Sequence, residues 1–172
     1  MSNVPVTTGL ATGWLDRRAY PDLHPEAERA LRSAALCWQH ESEAEGFLER
    51  AQQLAGDHVA VLIAEYRYRL YKHRFEEARA AAARCLAVAA ARLGLPNDFR
   101  EVRPEHADFA AMDADVRFWL FTMQAYGYVS LRSGHPSEGR AALERLSQLD
   151  MSDQTKTRVL LQVIETADRP ED

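Results

Sequence analysis

Few residues in this chain have the type and spacing that bond chemistry needs. Cys37 and His40 lie three apart, near enough to share a helix face, but structural zinc takes four such ligands. They read as a packed thiol beside a turn histidine. His106 with Asp108, or Asp113 with Asp115, has the groups to bind a cation or exchange protons. An Asp-X-Asp pair without the following glycine and loop spacing of a calcium site reads instead as helix caps and solvated charge. No Gly-rich phosphate loop, paired cysteines or Ser-centred nucleophile elbow occurs. The expectation is no catalytic residue, no metal ligand set and no cofactor. What remains are Tyr, Trp and Phe interleaved with Arg and Lys at helical spacing, the residue types that make contact surfaces.

The elements that must carry those residues follow from periodicity. Glu43-Ala44 opens an apolar row of Leu48, Ala51 and Leu54, and 34 residues later Glu77-Ala78 opens a similar row of Ala82, Cys85 and Leu86. Gly139, Leu143 and Leu146 repeat it a third time. A period near 34 marks stacked helix–turn–helix units. Pro25 suits the first position of a helix whose apolar stripe is Ala27, Leu31, Ala34, Ala35 and Trp38. Ser42, with Glu45 completing a capping box, is expected to open the second helix, and Gly56 to end it in a left-handed conformation. Asp57 opens a third helix to Tyr71, and a fourth runs from Phe75 to Leu93 with Gly94 as its stop. Asp113 or Asp115 caps a long fifth helix to Arg132. The turn Gly134-His135-Pro136 leads to a sixth, Ser137 to Leu149. Ser152 caps a seventh, Asp153 to Ala167. With no strand candidate, the fold class is all-α: antiparallel helix pairs stacked in a right-handed array.

Around this core, residues 1–22 read as an extended or mobile N-terminal arm with Trp14 and Leu15 as its bulky apolar residues. Residues 23–168 form a single helical domain, and 169–172 a polar tail. Residues 95–114 interrupt the repeat with Pro96, Pro104 and scattered acids, and a short helix from Pro104 fits inside them. Charge is uneven: residues 60–92 hold seven Arg/Lys against three Glu, while 97–115 hold six Asp/Glu against two Arg. That asymmetry suggests an acidic lid over Arg67, Arg69, Lys72 and Arg132, or a mimic of an acidic partner segment, weakened by salt; the other reading, the favoured one, is a disordered loop packed on the convex side. A net charge of −5 argues against nucleic acid as the main partner. The longest uncharged apolar run, Cys85 to Ala91, is too short to cross a bilayer. Cys37 and Cys85 fall in apolar rows as free thiols, which suits a reducing cytoplasm.

Ala125-Tyr126-Gly127-Tyr128, Leu131, Gly134, Gly139, Leu143, Leu146 and Asp150 together resemble the tetratricopeptide repeat family. Gly127 matches the small residue between the paired helices, and Gly134 the turn glycine. A second copy matches through Tyr71, Phe75, Ala78, Cys85 and Leu86, with a turn taken as one residue shorter and Arg67 at the small position. A first copy keeps Ala44, Leu48 and Ala51. The resemblance implies three repeats over residues 25–150 and a seventh, capping helix. It further implies a concave wall made by the first helix of each pair, where a peptide or protein segment binds. On this chain the wall receives Ala30, Ala34, Cys37 and Trp38, then Ala64, Tyr68, Tyr71 and Lys72, then Phe121, Gln124, Tyr128, Leu131 and Arg132. The lysine and asparagine with which some members clamp a C-terminal carboxylate are missing. The expected function is a non-enzymatic adaptor or chaperone, with no membrane or nucleic-acid partner. In size, acidity and repeat number the chain also looks like the small repeat chaperones of type III secretion translocators. The other readings are a self-associating scaffold that forms a homodimer, and a small enzyme.

Overall fold

The computed structural model describes residues 22–167. The expectations for Trp14 and Leu15 and for the polar tail lie outside them. The described chain holds seven α-helices and no strand, and divides into two compact units between Val61 and Leu62.

In the first unit, α1 (Pro25–Leu36) packs against α2 (Glu41–Ala55). The buried stripe of α1 is Ala27, Ala30, Leu31 and Ala34, and that of α2 is Ala44, Leu48 and Ala51. Five of these seven are alanine, so the two backbones approach closely. Two expected signals failed here. His40, not Ser42, precedes α2, and its side chain makes no capping bond; Ser42 sits exposed inside the helix. Gly56 is right-handed (φ −59°, ψ −29°), because the chain stays nearly helical into the next element: His58 N–H donates to Ala55 C=O at 2.9 Å. Trp38 falls in the turn after α1 and Ala35 is exposed, so the apolar stripe stops at Ala34.

Helix α3 (Val59–Tyr71) begins at the end of this unit and carries on into the second. Its first turn is met by His58, whose Nδ1 accepts from Ala60 N–H at 3.2 Å, rather than by the expected Asp57.

The second unit contains most of α3, then α4 (Phe75–Leu93), α5 (Ala114–Arg132), α6 (Pro136–Leu149) and α7 (Thr157–Ala167). Alanine fills the buried face of α4, and Gly94 closes it at φ +65° as expected. Asp113 caps α5 by accepting from the backbone N–H of Asp115 and Val116. Helix α5 lies between α4 and α6 and supplies the centre of the core: Trp119, Leu120, Met123 and Val129 are fully buried. Each such side chain contributes roughly 1.5–3 kcal/mol by leaving water.

Helices α5 and α6 cross at contact distance. A Cβ on Gly139 would stand 2.6 Å from Gly127 O, and a Cβ on Gly127 would stand 2.7 Å from Leu143 Cγ. Here glycine is required by space, as the pattern anticipated.

The turns of the α3–α4 and α5–α6 hairpins have the same length and the same bonds. Arg74 N–H donates to Arg69 C=O and His73 N–H to Leu70 C=O; His135 N–H donates to Ser130 C=O and Gly134 N–H to Leu131 C=O. This corrects the shorter turn expected in the second copy. In the corrected register Tyr66, not Arg67, stands where Gly127 stands, and Ala82 stands where Leu143 stands. His73 takes the left-handed position of Gly134, with φ +59° against +85°.

Two further differences concern connections. Residues 95–113 form two 3-10 turns, Phe99–Glu101 and Pro104–His106, of which the sequence signalled the second. Leu95, Phe99, Val102 and Phe109 from this segment are buried. After α6, helix α7 starts at Thr157 and not at Asp153, since residues 150–156 make an elbow around a buried carboxylate. Asp150 Oδ2 accepts from Thr155 N–H at 2.9 Å and from its hydroxyl at 2.8 Å, while Oδ1 accepts from Gln154 N–H at 3.0 Å. Thr155 Oγ1 also meets Thr157 Oγ1 at 2.7 Å.

Candidate functional site: an arginine and aromatic cluster

Tyr66, Arg67 and Tyr71 of α3, Phe75 at the start of α4, and Tyr128 and Arg132 of α5 come together at the turn end of the second unit. The Arg132 guanidinium lies 4.5 Å from the Phe75 ring centre and 5.9 Å from that of Tyr128, and it donates to the Tyr128 hydroxyl at 3.0 Å. Arg67 lies 5.9 Å from the Tyr71 ring centre. Tyr66 stands close to Tyr128, Cys85, Tyr71 and Arg67; burial first, then Tyr128, Cys85 and Tyr71, pushes its phenol well up, against the lowering effect of the Arg67 charge. Ring faces carry partial negative charge, so they hold a guanidinium while leaving its donors able to bond elsewhere. Among the described residues, neither Arg67 nor Arg132 forms an ion pair with a carboxylate. Most other arginines of this unit do: Arg69 and Arg74 pair with Glu77, Arg79 with Glu76, Arg84 with Glu65 and Arg92 with Asp115.

The expected wall residues divide. Tyr71 is half exposed, Arg132 is exposed, and Lys72, Phe121, Tyr128 and Leu131 are partly so. Tyr68 is a correction. It is 1% exposed, a core residue whose ring is covered by Arg69 and Lys72 at 5.6 and 5.8 Å, and it offers a partner no contact area. Gln124 is also committed within the chain, since its Nε2 donates to Thr155 C=O at 2.6 Å. Ala64 is partly exposed on α3. Trp38 belongs to the first unit, where it is partly exposed, and Ala30 and Ala34 are buried there. Phe75 and Tyr66 were not foreseen as wall residues. The signal available was the triplet Tyr66, Tyr71 and Phe75, at the spacings of a helix that ends in a turn.

The acidic segment does not lie over these cations. Phe99 packs on Tyr126 with ring centres 6.1 Å apart, Phe109 packs on Trp119 at 5.4 Å, and Arg145 donates to Arg100 C=O at 2.9 Å. It is a strap on α4, α5 and α6. Its acids are used locally: Asp98 accepts from Arg100 N–H, Asp108 from Ala110 N–H, and Asp113 caps α5.

Beneath the strap, an open cleft of about 250 Å³ is lined by Ala83, Leu86, Ala87, Phe99, Tyr126 and Glu138, among others. Its charged groups and its phenol bond to one another. Tyr126 donates to Glu138 at 3.0 Å, and Glu138 pairs with Arg100, whose guanidinium is pushed up by that carboxylate. Burial, then the hydrogen bond to Glu138, pushes the Tyr126 phenol up.

Thiol chemistry is suppressed. Burial, then the Glu65 charge, pushes Cys85 up to about 12, and Cys37, half-buried, is raised by burial and by Glu43. Both stay protonated near neutral pH, which removes the nucleophilic form. Among the described residues no group of three or more His, Cys, Asp or Glu could hold a metal ion, and no helix is long and apolar enough to cross a membrane.

Comparison with known proteins adds one relative. The chain is 37% identical over 126 residues to a protein of Azotobacter chroococcum mcd 1 described as "Uncharacterized 19.8 kDa protein in nifW 5'region", covering 72% of this chain and 71% of the relative. The two belong to one family. No protein-family model matches the chain, and no solved structure does.

Proposed function

We propose that the chain is a tetratricopeptide-like interaction module, acting by binding and not by bond chemistry. It holds an acidic, aromatic-bearing protein segment against the cluster of Tyr71, Phe75, Tyr128, Arg67 and Arg132. The observation that supports this is the pair of arginines carried on rings without a carboxylate partner, in a unit whose other arginines are mostly ion-paired. Two guanidiniums held in place on rings lose little freedom when they take up a partner's carboxylates. The repeat reading is supported by the identical turn bonding of two successive hairpins and by the spacing of 34 residues between Ala44 and Ala78. Unpaired Cys37 and Cys85 suit a reducing cytoplasmic setting.

The test is selection of displayed peptides on the full chain, with the charge-reversed variant Arg67→Glu/Arg132→Glu as counter-selection. Peptides combining Asp or Glu with an aromatic should be enriched on the natural chain and lost on the variant. Equal enrichment on both would sink the proposal. Because the relative is described by its place in the nifW 5' region, proteins encoded around that locus are the first natural baits.

A further inference from the structure

Of the six histidines, four use a ring nitrogen within the chain. His24 accepts from Glu26 N–H, His58 from Ala60 N–H and His106 from Arg103 N–H, while His135 bonds to Glu76. Among the described residues, His40 and His73 use neither nitrogen in this way. His40 lies in the first unit, whereas His73 stands exposed at the arginine and aromatic cluster. Its ring meets that of Phe75 with centres 5.7 Å apart and planes at 78°, and the Arg132 guanidinium lies 4.5 Å from the centre of the same Phe75 ring. The His73 backbone is left-handed, φ +59°, where the matching position of the other hairpin has Gly134. Side chains adopt that conformation at a cost that glycine escapes, so an imidazole stands here against the preference of the turn. Strain kept at the edge of a binding surface points to a use for the side chain.

The charges around it say what that use is. In the turn its neighbours are Lys72 and Arg74, and α3 adds Arg69 and the Tyr71 phenol. From α4 come Glu76 and Glu77, both engaged: Glu77 with Arg69 and Arg74, Glu76 with Arg79 and with His135 of the α5–α6 turn. From α5 come Arg132 and the Tyr128 phenol. Arg67 and Arg132 are permanent cations, but an imidazole gains its charge only as pH falls below neutrality. A carboxylate brought to Arg132 would stand beside that imidazole too and favour its protonated form. Binding then takes up a proton, so affinity rises as pH falls through the histidine range and is complete below it. We propose that His73 is a third, pH-dependent cationic contact of the cluster, which holds its acidic segment more tightly below neutral pH. This rests on the cluster being the binding site proposed above.

Calorimetric titration of the full chain with an N-acetylated, C-amidated peptide of alternating Asp and Trp tests it. The titrations are run at constant ionic strength at about pH 7.5 and about pH 5.5, on either side of the histidine range, where the peptide's carboxylates stay ionised. The natural chain should bind about threefold more tightly at the lower pH, the size of one added exposed charge contact. In His73→Asn the two affinities should agree, and His73→Lys should show the tighter binding at both pH values. His135→Gln should keep the natural dependence. An affinity that ignores pH in the natural chain, a dependence that survives His73→Asn, or one that vanishes in His135→Gln overturns the role of His73. If binding is then still lost in Arg67→Glu/Arg132→Glu, the site itself stands. A peptide that binds at neither pH, or binds that charge-reversed variant equally well, overturns both.

Discussion

The α3–α4 and α5–α6 hairpins use the same three-residue turn and the same backbone bonds, yet they fill the space between their helices in opposite ways. In α5–α6 the first helix gives way: Gly127 admits Leu143, and Gly139 rests against the Gly127 carbonyl. At the matching positions α3–α4 has Tyr66 on the first helix and the buried alanines Ala78 and Ala82 on the second. The large residue thus stands on the second helix of one hairpin, Leu143, and on the first helix of the other, Tyr66, as a volume shared between paired helices requires. Tyr66 is also what brings aromatic surface to the site, so the packing exchange and the candidate site are one feature.

The largest expected effect separates the two crossings. Gly139→Ala drives a methyl to 2.6 Å from a backbone oxygen and should cost about 3 kcal/mol in urea unfolding. Ala78→Gly, at the matching position, should cost about 1 kcal/mol through helix propensity. If Gly139→Ala unfolds like the natural chain, the close crossing is wrong.

Next comes an exchange of packing styles. Tyr66→Gly and Ala82→Leu should each destabilise, by about 3 and about 2 kcal/mol. The double variant should fall short of their sum by about 1 kcal/mol or more, and strict additivity would break the shared-volume account. At the turns the signs should oppose. His73→Gly relieves a left-handed histidine and should stabilise by about 1 kcal/mol, whereas Gly134→Ala, with open space around it, should destabilise by about as much.

The smallest effect lies at the exposed contact between His135 and Glu76, 2.7 Å apart. The hydrogen bond from His135 holds the Glu76 carboxyl below the ordinary glutamate range. A lowered folded pKa contributes stability that is complete above the ordinary range and is lost as pH falls through the lowered value. In His135→Ala, NMR titration should show the Glu76 midpoint moving back up. An unmoved midpoint would remove the link between the two turns.

Much of this fold was legible because helix period and turn residues are local signals. Phe75–Leu93 and Gly94 were read in place, and Asp113 was one of the two caps expected for α5. Caps that depend on competition were not. Ser42 lost to a start set by the packing of Ala44 and Leu48, and Ser152 lost to Asp150, whose role needs a burial that no local pattern reports. For the candidate site, Tyr71, Tyr128 and Arg132 were readable from register. Tyr68 was misplaced because a tyrosine on the first helix can face either neighbour, and the charge asymmetry of 97–115 overlooked that those acids serve their own turns.

The glycine crossing also has a mechanical consequence. With Gly139 seated on a Gly127 carbonyl, α5 and α6 have no room to slide, so amide hydrogens along that seam should exchange only when the whole unit opens. For a segment bound at the Tyr128 and Arg132 end of α5, α5 and α6 should then serve as a fixed rail.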